Sequence, residues 1–205
     1  MSGFNYANLV TDIRNYTEVG DSVLTAAIIN RFIEDAEFKI FYDVPIDAYR
    51  YVSEGTFVAD DNTINAPGKG TQGATGAVFI RGIEVFNSTS ATTGQGVWLE
   101  KKDQTYLSEY VGRLTGTEGD LTNQDTTALP KYYAMFGGAT GTTSTTSGGM
   151  YVAPTPDQNY KFRIYYTMMP KSLVTETSGT YISQYFPSGL LYACLVEAYG
   201  FLKGP

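Results

Sequence analysis

The sequence predicts an α+β fold: a helical layer formed by the N- and C-terminal segments, with an antiparallel β-sandwich or barrel domain inserted between them. Three observations predict it. Apolar residues recur at helical spacing at both ends of the 205-residue chain. Between residues 50 and 170, short runs of Val, Ile, Tyr, Phe and Thr alternate with stretches of Gly, Thr and Ser. Composition agrees, because 26 Thr, 17 Tyr and 11 Phe favour strands while 22 Gly mark turns. Residues 1–49 and 171–205 then form the helical layer, and 50–170 the inserted domain.

The first helix should run from Asn5, a suitable N-cap, to Tyr16, with Tyr6, Leu9, Val10 and Ile13 on its apolar side. Gly20 and Asp21 punctuate the chain. A stronger helix is expected from Ser22 to about Tyr42. Its stripe is Leu24, Ile28, Ile29, Phe32, Ile33, Ala36 and Ile40, and its polar side holds Asn30, Arg31, Glu34, Asp35, Glu37 and Lys39. Pro45 stops it. Strands are predicted over Tyr49–Ala59, Ala77–Asn87, Lys131–Phe136, Met150–Val152 and Tyr160–Met168, with a short helix over Leu99–Val111. Pro67–Gly76, Ser88–Gly96, Thr115–Thr127 and Gly137–Gly149 lack anything that could pack, and read as long turns or loops.

Pro187 suits the first position of a closing helix. From Leu190 to Leu202 this helix is apolar apart from Glu197, Gly200 and the tyrosine hydroxyls. The run is shorter than the roughly 20 residues that a bilayer demands, so a membrane span is not expected. A helix apolar on nearly all sides needs partners on nearly all sides. The N-terminal helices can cover one face, and a neighbouring subunit is the simplest cover for the rest. Leu24, Ile28, Phe32, Ile33, Ala36, Ile40, Leu191 and Leu195 are the expected helical core. Tyr185, Phe186, Leu190, Tyr192, Tyr199, Phe201 and Lys203 are candidates for a subunit interface.

Several chemistries are excluded. The chain has no histidine, which removes the commonest general base and zinc ligand. One cysteine, Cys194, closes no internal disulfide, builds no thiolate metal site and reads as a small buried hydrophobe. No catalytic, cofactor-binding or metal-binding residue is assigned. Gly68-Lys69-Gly70-Thr71-Gln72-Gly73 matches G-x-G-x-x-G, but no helix follows to receive a pyrophosphate. Asn87-Ser88-Thr89 matches a glycosylation sequon, but MSGFNYANLV carries no export signal. Asp60-Asp61-Asn62 reads as a turn. The pairs Tyr132-Tyr133 and Tyr165-Tyr166 should each give one core and one surface ring, since adjacent strand residues face opposite ways. A formal charge of −7 argues against a general DNA-binding surface.

Three segments carry a resemblance. "NLVTDIRNYTEVGDSVLTAAIINRFIEDAEFKIFYDVPIDAYR" contains a short helix ending in an aromatic, then an F-I-x-x-A-E-x-x-I core at Phe32, Ile33, Ala36, Glu37 and Ile40. "LPKYYAMFGG" followed by "YVAPTPDQNYKFRIYYTMMPKSL" reads as paired strands, and "YFPSGLLYACLVEAYGFLKGP" as a closing helix. In this order they resemble the head-to-tail adaptor (connector, or neck) proteins of tailed bacteriophages, over roughly half the chain. The resemblance implies a structural, non-enzymatic virion protein without cofactor, assembled in the host cytoplasm. It implies a homo-oligomeric ring, a dodecamer, seated between the portal protein and the tail or further neck proteins, and makes the same interface candidates, Tyr185 to Lys203, candidates for portal contact. Genomic DNA would pass through the lumen without sequence-specific binding. Related chains continue beyond the closing helix into a portal-contacting segment, whereas this sequence stops at Pro205, so portal contact would be made differently or by a further segment. A β-rich module of a tail fibre or spike that binds host glycans is the alternative.

Overall fold

The computed structural model describes residues 3–67, 76–88, 94–110, 127–136 and 149–203, and divides the chain into a helical unit (residues 1–48 and 170–205) and a β unit (residues 49–169). The Gly-rich motif at 68–73, the end of the sequon, and most of the expected loops lie outside the described residues.

In the helical unit, α1 spans Tyr6–Thr17. Asn5 caps it by accepting the Asn8 amide at 2.8 Å, and Glu18 closes it in the left-handed region at φ 53°. Leu9 and Ile13, one turn apart, are its buried face. Helix α2 spans Ala26–Asp43 and starts a turn later than the expected Ser22. The Val23 and Leu24 amides both turn back to the Gly20 carbonyl, at 3.2 and 3.0 Å, which closes a tight turn before helical geometry begins. Leu24 is nonetheless fully buried. Ile29, Phe32, Ile33, Ala36 and Phe41 form the buried stripe of α2, with Ile28 and Ile40 half-buried beside it.

Between Pro170 and Thr180 the chain has no regular element. A short helix α4, Tyr181–Tyr185, then opens with a capping box in which Thr180 and Ser183 exchange side-chain-to-amide hydrogen bonds. The closing helix α5, Pro187–Lys203, buries Leu190, Leu191, Cys194, Leu195 and Ala198 against α1 and α2. Polar links fix the packing. The Tyr6 hydroxyl donates to Asn30 Oδ1 at 2.6 Å, the Tyr199 hydroxyl to the Tyr16 carbonyl at 2.8 Å, and Lys39 pairs with Glu197.

One polar residue sits against the helical pattern. Glu37, expected on the solvent side of α2, is buried. Its carboxylate accepts the Leu173 amide at 3.1 Å to each oxygen and the Thr180 hydroxyl at 3.2 Å, which ties the irregular segment to α2. Those partners satisfy it and explain why burial is tolerated.

Among the described residues the β unit contains eight strands: β1 Arg50–Thr56, β2 Thr63–Asn65, β3 Ala77–Phe86, β4 Gly96–Trp98, β5 Glu100–Lys101, β6 Tyr132–Phe136, β7 Gly149–Ala153 and β8 Lys161–Met168. They form two four-stranded sheets, β1-β8-β3-β4 and β2-β7-β6-β5, antiparallel except for the β5–β6 pair. Ile83, Val85, Phe162 and Ile164 of the first sheet share one core with Ile64, Tyr133, Met150 and Val152 of the second, so the unit is a sandwich. From Lys161 to Tyr166 strand β8 alternates: Phe162, Ile164 and Tyr166 point into this core, and Lys161, Arg163 and Tyr165 away from it, before Thr167 breaks the burial pattern.

The helix expected over Leu99–Val111 shrinks to α3, Gln104–Tyr110. Leu99 is instead a core residue, and its amide donates to the Ile83 carbonyl at 2.8 Å. Sheet pairing overrides the loose helical spacing there. Leu107 of α3 packs with Ala134 and Ala153 on the outer side of the second sheet. Tyr133 and Tyr166 are buried, whereas Tyr132 and Tyr165 are half-exposed, the split that strand geometry demands.

Candidate functional site

Each unit carries one unusual surface. On α5, Tyr192 (60% exposed), Val196 (69%) and Tyr199 stand at i, i+4 and i+7, which places them on one face. Lys203 continues that spacing and is exposed. The opposite face, with Leu191, Cys194, Leu195 and Ala198, is the buried one. A soluble helix ordinarily presents charges on its outer side, but here three large apolar or aromatic residues occupy it. The Tyr199 hydroxyl donates to the Tyr16 carbonyl, so the stripe borders the C-terminal end of α1, where Tyr16 is itself exposed.

At the start of α5 the exposure continues. Tyr185 is 76% exposed, with its ring 4.7 Å from that of Tyr181, and Phe186 is also exposed. Gly189 makes room for Phe186, since a Cβ there would lie 1.8 Å from the Phe186 ring. Of the other expected interface residues, Phe201 is exposed on one side and meets the Phe32 ring at 5.8 Å on the other. Leu190 is fully buried, so it belongs to the interior of the unit and presents nothing to a neighbour. Sequence reasoning passed over Val196, although its place one turn beyond Tyr192 was a usable signal.

The second surface is the outer face of the sheet β1-β8-β3-β4. Trp98, the single tryptophan of the chain, is 57% exposed and stacks at 4.8 Å from Tyr165. Tyr165 is fixed by donating to Glu84 Oε2 at 2.9 Å. Beside it Arg163 Nε donates to Glu54 at 2.8 Å, with its guanidinium 5.0 Å over the Phe86 ring. Trp98 stood in no motif and its strand is three residues long, so the sequence carried little sign of it.

Burial pushes the Cys194 thiol up to about 12, far from a reactive thiolate. Among the described residues no group of His, Cys, Asp or Glu could hold a metal ion. Among them, too, no helix is long and apolar enough to cross a membrane. What both surfaces offer is exposed aromatic area, the raw material of protein–protein contact.

Comparison with known proteins agrees with surfaces of that kind. The family model described as SU10 adaptor protein matches residues 4–205. No curated protein matches the chain. The family match takes in both segments of the helical unit and the whole β unit between them, and it implies a structural role in contact with other virion proteins. The chain belongs to the SU10 adaptor protein family, whose members are structural adaptors of bacteriophages.

Proposed function

We propose that this chain forms a homo-oligomeric ring, a dodecamer, that joins the portal to the tail in the virion neck and leaves a central channel for genomic DNA. The observation that carries the reading is the apolar stripe of Tyr192, Val196 and Tyr199, exposed on α5 opposite the face that already packs on α1 and α2. A second copy is the occupant that needs no other component. Lateral packing of helical units around a ring buries such a stripe on every subunit at once, as closed cyclic symmetry requires. Tyr185, Phe186 and Lys203, at the two ends of α5, are then candidates for contact with the portal or the next neck protein.

Charge fits passage of DNA rather than retention. The formal −7 of each chain, taken twelve times, gives a ring about −84. An acidic lumen repels phosphate and keeps the duplex from sticking. Negative-stain images of the purified chain, alone and mixed with purified portal, test the reading. Twelve-fold rings that dock on the portal are the expected result. Trimers would favour the glycan-binding fibre instead, and a strictly monomeric chain that ignores the portal would contradict the ring.

A further inference from the structure

We infer that the outer face of α2, centred on Phe38 and Tyr42, is the seat on which the α5 stripe of a second copy of this chain docks. The inference rests on the ring reading above and names the surface that receives the stripe.

Symmetry requires such a seat. A stripe that meets its own counterpart makes a two-fold pair and stops there. A ring of more than two subunits needs a different patch on each chain to take its neighbour's stripe. Helix α2 carries one. Phe38 (47% exposed) and Tyr42 (51%) stand at i and i+4 with their rings 4.5 Å apart. Helical spacing puts them opposite Ile29, Phe32, Ile33 and Ala36, which α2 buries. Within one chain, α2 and α5 meet through other sides, Phe32 on Phe201 and Lys39 on Glu197. A chain therefore cannot seat its own stripe.

Laid antiparallel, the two surfaces keep step. Val196, Tyr199 and Lys203 follow one another at the same one-turn spacing as Tyr42, Phe38 and Glu34 read backwards. Val196 then falls opposite Tyr42, Tyr199 opposite Phe38, and Lys203 beside the exposed Glu34 and Asp35. The other charges of this side of α2 do not oppose that register. Lys39 is held by Glu197 of its own chain, and Arg31 lies a further turn along, beyond Lys203. The pairing draws Lys203 into the ring contact and leaves Tyr185 and Phe186 for the portal.

Gly200 is an independent observation. It stands inside α5, where glycine is less stable than alanine, and it is exposed. A Cβ there would meet nothing within 4 Å in its own chain, so no internal contact accounts for the missing side chain. Gly200 follows Tyr199 and lies one turn beyond Val196, at the edge of the stripe. A neighbour's helix laid over the stripe comes closest to the backbone at such a position.

Native mass spectrometry of the parent, of Phe38→Asp, of Val196→Asp and of an equal mixture of the two variants tests the pairing, with circular dichroism to confirm folding. The parent should form rings and each variant alone should stay monomeric. The mixture should give a one-to-one heterodimer and nothing larger, because the stripe of the Phe38→Asp chain still meets the intact seat of the Val196→Asp chain. Gly200→Ala, which adds no charge, should raise the concentration needed for assembly by roughly tenfold through overpacking, with a fold no less stable than the parent's. Rings or dimers of Phe38→Asp alone, a mixture that stays monomeric, or Gly200→Ala assembling at the parent's concentration would overturn the pairing and leave the ring reading standing. A parent that is monomeric throughout would overturn both.

Discussion

Glu37 holds the segment around Leu173 and Thr180 to α2 while buried in the helical unit. Burial raises its pKa above the ordinary 4.5, against the opposing pull of its hydrogen bonds. A carboxyl whose pKa is higher folded than unfolded contributes fully below its unfolded value, and loses that contribution as pH rises through the folded one. Glu37→Gln keeps an acceptor oxygen and removes the charge. The variant should therefore gain in melting temperature relative to the parent as pH rises from about 4.5 toward neutrality. Melting curves that stay parallel throughout would show that Glu37 is not the titrating group. Cys194, pushed up to about 12, stays a thiol in the folded protein. Labelling by a thiol-specific reagent at pH near 8 should wait for unfolding, and rapid labelling in native buffer would contradict its burial. The buried role of Cys194 was legible from its place in an apolar helix. That of Glu37 was not, because its partner Leu173 lies 136 residues away and helical periodicity sees only the helix itself.

Helix α5 separates stability from association between adjacent residues. Leu195 is buried and Val196 is 69% exposed. Leu195→Ala should cost about 2–5 kcal/mol in urea denaturation, the range for losing a packed leucine. Leu195→Asp, and equally Leu191→Asp, would bury an unpaired charge and should unfold the helical unit. Val196→Asp should change stability by no more than about 0.5 kcal/mol and yet weaken self-association. A large loss of stability from Val196→Asp would show the stripe to be part of the core. The helices were legible because caps and periodicity are local: Asn5 does cap α1, and Pro187 does open α5. Strands β2, β4 and β5 were not, for two or three residues carry no period. Their existence is decided by long partners such as β3 and β7, and the same dependence drew Leu99 out of its expected helix.

At the scale of the molecule, two units are built from one chain, the helical one from its two ends and the sandwich from its middle. Fold class followed from where the period changes along the sequence. Function did not follow from composition, which served to exclude chemistry. It came from the order of the terminal segments, and the match over residues 4–205 places the chain among the SU10 adaptors. The aromatic patch of the sheet escaped notice because Trp98 and Tyr165 come from different strands and meet across Gly82, where a Cβ would lie 2.9 Å from the Trp98 ring. The central claim is that the exposed face of α5 drives assembly into a ring. Native mass spectrometry of the parent chain beside Val196→Asp addresses it most directly, with circular dichroism to confirm that both are folded. The account predicts a parent species of twelve chains and a folded variant that remains monomeric. A parent that is monomeric at all concentrations, or a variant that still assembles twelve chains, would contradict it.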